Sequence, residues 1–272
     1  MTYAEVIGDP IAHSKSPAIH NYWLKCLGQD ASYRPTKVSA GELKDFLKRR
    51  QEDPDWRGCN LTMPLKGAAA ELVDSLSPGA GAARAVNLIT RIGAGLHGSN
   101  VDGAGFLEAV LPIVNKHRIR HAILIGSGGA ARAIAHGLKI ARLYLEVLAR
   151  DPVRAEFMVQ SLNIPNAAVL PLSNGLPDSI SPILLINATP LGMRGFPKLN
   201  LDLTKLPHQS LIVDIVTHPL ETPLIKAANA RELKTLDGLH MLIGQAALSF
   251  GKLFGTPPPR DKDRELRELL SR

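Results

Sequence analysis

Several polar side chains stand at the ends of apolar runs in the first hundred residues, where structure alone would favour other types. Gly8-Asp-Pro-Ile-Ala-His-Ser-Lys-Ser-Pro17 offers Ser14 and Ser16, two hydroxyls with nearby N–H groups suited to a carboxylate. Asn60-Leu-Thr-Met-Pro-Leu-Lys66 offers Asn60, Thr62 and Lys66, with Pro64 stiffening the loop before the lysine. Asn87 follows, and Asn100-Val-Asp-Gly103 supplies Asp102. Together these are hydroxyls for a carboxylate, amides for alcohols and a Lys–Asp pair for proton transfer, a set that suits a small polyhydroxy acid. Singly, each has a plainer reading. Ser16 can cap a helix, Lys66 can be one more solvated lysine, and Asp102-Gly103 can be a turn.

A second constellation lies in His121-Ala-Ile-Leu-Ile-Gly-Ser-Gly-Gly-Ala-Ala-Arg132. Gly126, Gly128 and Ala131 match the dinucleotide fingerprint of a strand turning tightly into a helix. Gly126 permits the turn, Gly128 the approach of a pyrophosphate, and Ala131 close packing of helix on strand. Ser127, Gly129 and Ala130 complete the turn, whose N–H groups and helix dipole face the phosphates. The next apolar strand runs into Arg150, with Arg154 following. Guanidinium groups there suit a ribose 2′-phosphate through charge-assisted hydrogen bonds and favour NADP. Asp151 keeps NAD open, because a carboxylate repels a phosphate and accepts from a ribose hydroxyl.

These groups need a scaffold. Strands are expected at Ala4–Ile7, Ala31–Val38 and Gly58–Thr62, with helices at Ser16–Leu27, Ala40–Arg50 and about Lys66–Ser75. Ser16 is read as the cap of the first helix, and Ala85–Ile92 with Gly95–Gly98 as a hairpin-like end. Beyond the glycine turn, strands are expected near Leu143–Ala149, Ala167–Leu170, Ile183–Asn187, Leu211–Asp214 and Leu233–Leu236. A long helix over Leu239–Phe254 and a last one over Arg260–Leu270 then return to the first domain. Such alternation implies an α/β fold: a mainly parallel first domain, a Rossmann domain and returning C-terminal helices. In open α/β sheets ligands bind beyond the carboxyl ends of strands, which gathers the seven polar residues into one crevice facing the glycine turn.

Composition narrows the function. At 272 residues the chain is long enough for two domains of ordinary size, and its apolar fraction of 45% is that of a globular protein. No apolar run is long enough to span a bilayer, and no basic-then-apolar leader opens the chain. The two cysteines, Cys26 and Cys59, make no disulfide framework, so a reducing cytoplasm is expected. The charge of +7 invites a nucleic-acid reading, but the basic residues are dispersed and aromatics are only 4%, too sparse for base stacking. The nine histidines show no metal-binding spacing, so no metal is expected. No G-x-S-x-G and no P-loop occurs. A non-catalytic dinucleotide sensor is disfavoured by Lys66 and Asp102. The partner expected from these residues is a small polyhydroxy acid, with neither nucleic acid nor membrane, in a monomer or homodimer.

In order along nearly the whole chain, these motifs resemble the shikimate dehydrogenase family, including its quinate/shikimate members. The Ser14/Ser16 segment is similar to the family's carboxylate-binding segment, and Asn60–Lys66 to its N-V-T-x-P-x-K element. Asn87 and Asp102 fall on its substrate asparagine and catalytic aspartate. Asn187-Ala-Thr-Pro-Leu-Gly-Met193 resembles its nicotinamide-side loop, and Gly238-Leu-His-Met-Leu-Ile-Gly-Gln245 its returning helix. The resemblance implies that Lys66 and Asp102 are catalytic, and that Ser14, Ser16, Asn60, Thr62, Asn87 and Gln245 bind substrate. It also puts Thr189, Met193, Thr217 and Gly238 beside the cofactor. It implies a substrate domain, 1–101 plus 238–272, and an NADP-binding Rossmann domain, 102–237. The reaction implied is reversible, NADP-dependent reduction of 3-dehydroshikimate to shikimate. Three departures stand out: Leu88 and Val101 replace threonines of the family pattern, and Asp214-Ile-Val-Thr217 replaces D-x-x-Y. A lost hydrogen bond of about 0.5–1.5 kcal/mol at each would retune substrate preference without abolishing the chemistry, which leaves quinate or another cyclic hydroxy acid open.

Overall fold

The computed structural model describes residues 1–271 and resolves two compact units. One comprises Met1–Val101 together with the chain from Gln245 onward; the other is Asp102–Gly244. In the first, the chain runs β1 (Thr2–Gly8), α1 (Ser16–Leu27), β2 (Ala31–Lys37), α2 (Leu43–Gln51), β3 (Trp56–Leu61), β4 (Ser75–Leu76), α3 (Pro78–Ala83), β5 (Leu88–Ile92) and β6 (Gly95–Ser99). The sheet order is β2-β1-β3-β5-β6-β4. β2, β1 and β3 are parallel, as are β4 and β6, whereas β5 runs antiparallel to β3 and β6.

Successive side chains of a strand point to opposite faces, and β1 divides its residues accordingly. Tyr3 and Ile7 enter a core with Phe46, Leu47, Trp56, Cys59 and Leu61; Ala4 and Val6 enter another with Ile11, Tyr33, Leu88, Val101 and Leu253. Glu5 is fully buried. Its carboxylate accepts from Arg50 Nε at 2.6 Å and Arg50 Nη2 at 3.2 Å, from Arg34 Nε at 3.4 Å and from the Thr36 hydroxyl. Four donors thus replace the water that burial removed.

Two local expectations fail here. No helix spans 66–75: Lys66 lies in a turn, followed by a single 3₁₀ turn at Ala68–Glu71 and then β4. The apolar spacing of Leu65 and Ala69 does bury both. Continuation is prevented because Asp74 accepts the Leu96 N–H at 2.6 Å and the next residues pair with β6. Nor does Ser16 cap α1. Lys15 holds the cap position without a side-chain bond, and Ser14 Oγ accepts the Ser16 N–H at 3.3 Å. The helix α3, which the sequence does not announce, is capped by Ser77, whose hydroxyl accepts the Ala80 N–H at 3.2 Å.

The second unit runs α4 (Asp102–Lys116), β7 (His121–Ile125), α5 (Gly129–Ile140), β8 (Tyr144–Ala149), α6 (Pro152–Ser161), β9 (Ala168–Pro171), β10 (Ile183–Asn187), β11 (Leu211–Asp214), α7 (Pro223–Asn229) and β12 (Lys234–Leu236). Its sheet is wholly parallel in the order β12-β11-β10-β7-β8-β9, that of a doubly wound dinucleotide fold. β7 and β10, the two middle strands, are buried on both faces, which is why they read as unbroken apolar runs. The chain then forms α8 (Gly238–Phe254) and α9 (Asp263–Leu270). The return to the first unit, expected at 238, falls within α8 after Gly244, which still lies against the Gly105 backbone of α4. Among the described residues no helix is long and apolar enough to cross a membrane, and no three His, Cys, Asp or Glu side chains group around a metal position.

Candidate active site

In the first unit, the antiparallel direction of β5 decides where the polar residues gather. Asn60 of β3 faces Leu88 of β5, and Leu88 faces Ser99 of β6. Asn87, which precedes β5 rather than ending a strand, therefore sits on the edge where β1, β3 and β6 end. The Thr62 N–H donates to Ile7 O at 3.0 Å and the Asp9 N–H to Met63 O at 3.3 Å, setting the Ser14 segment beside the Thr62–Lys66 turn. The Val86 N–H donates to Lys66 O at 2.8 Å, tying the lysine backbone to the approach to Asn87. Asn87 Oδ1 accepts the Val101 N–H at 2.9 Å, which fixes the chain immediately before Asp102.

Beneath this edge runs a buried polar network that the sequence did not reveal. Asn60 Nδ2 donates to Asn87 O at 3.1 Å and to Ser249 Oγ at 2.8 Å, and Asn60 Oδ1 accepts from Tyr33 OH at 2.8 Å. Both amide hydrogens of Asn60 are engaged, which leaves one lone pair of Oδ1 for a ligand. Ser249 Oγ in turn donates to Gln245 O at 3.0 Å, so the α8 turn carrying Gln245 is tied to β3. Position i+4 from Gln245 is the one sequence signal that could have found Ser249. His20 stacks on Tyr33 with ring centroids 4.0 Å apart, and burial pushes its pKa down to about 3. The platform behind Asn60 is therefore uncharged at neutral pH.

Leu88 and Val101 pack in one apolar cluster with Ala4, Val6, Ile11, Tyr33 and Leu253. The two hydroxyls of the family pattern that this chain lacks are thus replaced by apolar groups of one buried cluster, and of the three departures only Thr217, in a loop, is left half-buried.

In the second unit, Gly126 follows β7 at φ +112°, a conformation that side chains resist, and a Cβ there would lie 2.8 Å from Thr189 Cγ2. Glycine is required on both counts. Gly128 stands extended at the head of α5, and no side chain caps that helix. Ala131 is fully buried against the sheet. After β8, Arg150 and Arg154 are exposed, while the Asp151 carboxylate caps α6 by accepting the Arg154 N–H at 3.0 Å. One oxygen of the exposed Asp151 carboxylate is thus engaged at the helix end. A tight glycine turn, an uncapped helix start and exposed guanidinium groups suit a phosphorylated dinucleotide.

The Thr189 and Thr217 loops leave the adjacent strands β10 and β11. Ala188 N–H donates to Ile125 O at 2.9 Å, setting the Thr189 loop beside the glycine turn, and Ile215 N–H donates to Asn187 O at 3.1 Å, setting the Thr217 loop beside the end of β10. Met193 follows, its N–H on Pro190 O at 3.0 Å. At Gly238 a Cβ would stand 2.5 Å from both Ile215 O and Val216 O, so α8 starts directly on that segment. Asp102, buried, opens α4. The two residues expected to form the catalytic pair are thus divided between the units, Lys66 in the first and Asp102 in the second.

Residues 6–89 match the family model described as the shikimate dehydrogenase substrate binding domain. The chain is 45% identical to a shikimate dehydrogenase (NADP(+)) of Sphingopyxis alaskensis, covering 98% of this chain and 96% of that one. It is 38% identical to one of Maricaulis maris, covering 98% and 95%. The fold superposes with TM-score 0.86 and 34% identity on a shikimate 5-dehydrogenase from Thermus thermophilus in complex with NADP(H) and shikimate, covering 99% and 100%. With matches of this identity running its full length, the chain belongs to the shikimate dehydrogenase family.

Proposed function

We propose that this protein catalyses the reversible, NADP-dependent reduction of 3-dehydroshikimate to shikimate. One observation carries the reading: the residues on the family's substrate motifs, Ser14, Ser16, Asn60, Thr62, Lys66 and Asn87, share one strand edge in the part that matches the substrate-binding model. Ser14 and Ser16 hold the carboxylate, with Thr62, Asn87 and Gln245 on the ring hydroxyls and Asn60 accepting through its remaining lone pair. NADPH, when bound on Gly126–Ala130 with its 2′-phosphate on Arg150 and Arg154, supplies hydride to the ring ketone. Lys66 protonates the oxygen that becomes the hydroxyl, since an alkoxide without a donor is strongly disfavoured in a dry site. Asp102 orients the ammonium and binds a neighbouring hydroxyl. In the oxidising direction Lys66 takes the proton back. Unpaired Cys26 and Cys59 support a cytoplasmic setting.

A steady-state panel of shikimate and quinate against NADP and NAD, followed at the absorbance of the reduced nicotinamide, tests this. Shikimate with NADP is expected to give the highest kcat/KM, and Arg150→Gln to raise the KM for NADP about tenfold with little change for NAD, the loss of one charge-assisted bond. A quinate or NAD preference overturns the reading.

A further inference from the structure

Asp214 is fully buried at the end of β11 and takes no direct part in the chemistry above. Its Oδ1 accepts from Asn187 Nδ2 at 3.0 Å and from the Val216 N–H at 3.0 Å; its Oδ2 accepts from Thr222 Oγ1 at 2.7 Å. Burial raises its pKa, and these three donors pull it back. A carboxylate so placed dictates how its neighbour points, because an ionised carboxylate has no hydrogen to give.

The neighbour is Asn187, at the end of β10. Its amide gives one hydrogen to Asp214 and another to Leu191 O at 3.0 Å, and its Oδ1 accepts from the Thr189 N–H at 3.1 Å and Thr189 Oγ1 at 2.7 Å. Thr189 Oγ1 accepts the Leu191 N–H at 3.1 Å. A flipped amide would set Oδ1 against both the carboxylate and the Leu191 carbonyl, and its NH₂ against the Thr189 N–H. Asp214 thus selects one orientation of Asn187, and Asn187 closes the loop 187–191. The loop reaches the glycine turn through Thr189, whose methyl group fills the space a Cβ at Gly126 would need.

We propose that Asp214 is a positioning residue for the cofactor: its carboxylate orients the Asn187 amide and so sets the Thr189–Met193 loop against the Gly126 turn. The inference rests on the proposed binding of NADP by this unit. It predicts a split between the two substrates that a role in folding alone would not produce.

The test compares wild type with Asp214→Asn, which keeps the volume and removes the charge. NADPH affinity is measured by fluorescence titration, KM for NADP and shikimate by steady-state kinetics, and Tm by calorimetry. The expected result is a rise of about tenfold in NADPH Kd and in KM for NADP, the weight of one misdirected hydrogen bond, with KM for shikimate within about twofold. Should Asp214→Asn fail to fold, Asn187→Ala, which leaves Asp214 bonded to Val216 and Thr222, is expected to give the same split. An unchanged NADPH Kd, an equal rise in both KM values, or a lower Tm with neither KM moved overturns the inference. Wild type that binds no NADPH overturns instead the functional reading beneath it.

Discussion

Lys66→Ala is expected to lower kcat for shikimate oxidation by about 10²–10⁴-fold, the usual contribution of a positioned general acid–base group. The lysine sits where the carboxyl ends of β1 and β3 meet the segment leading to Asn87, and its carbonyl is bonded to the Val86 N–H. That bond belongs to the backbone, so it survives the substitution and the turn keeps its shape. The loss should therefore appear in kcat, with thermal stability close to wild type and KM for shikimate changed far less. Steady-state rates at saturating shikimate and NADP check this. A variant turning over at near the normal rate removes Lys66 from the chemistry.

The largest expected stability effect lies away from the site. Arg50→Ala should destabilise the fold by about 3–5 kcal/mol, because it strips a fully buried carboxylate of its two closest guanidinium contacts. Arg34 cannot replace them, being at 3.4 Å and half exposed. Arg50 also lies over the Phe46 ring at 4.8 Å, so packing is lost with the charge. Replacing Glu5 and Arg50 together by leucine and methionine should cost much less, since no unpaired charge remains. Equilibrium urea unfolding of both variants measures the difference. Equal losses in the two, or a loss under about 1 kcal/mol in Arg50→Ala, would contradict a structural role for the pair.

What is legible in the chain follows from how local each cause is. The glycine turn can be read because its constraint is steric and confined to a few residues, and β7, β10 and β11 because two-sided burial writes continuous apolar runs. The helix expected at 66–75 does not form because its end is set by Asp74 bonding to Leu96, a contact invisible to local spacing. Ser16 is not the cap because a Ser-Pro pair fits either of two adjacent cap positions, and here Ser16 is already the first helical residue with Lys15 before it at the cap. Tyr33 and Thr222 act through partners distant in sequence or beyond a turn, so nothing beside them marks their roles, and Ser249 is marked only by its spacing from Gln245. Leu88 and Val101 look like site changes only while each is considered alone. In three dimensions they are neighbours in a core.

In the proposed mechanism Lys66 and Asp102, carried by different units, act as one catalytic pair. A double-mutant cycle on kcat with Lys66→Ala, Asp102→Asn and the combined variant tests this. If the two act as a unit, the combined variant turns over within about threefold of Lys66→Ala alone. If the separate losses instead multiply, the residues work independently and the pair does not exist.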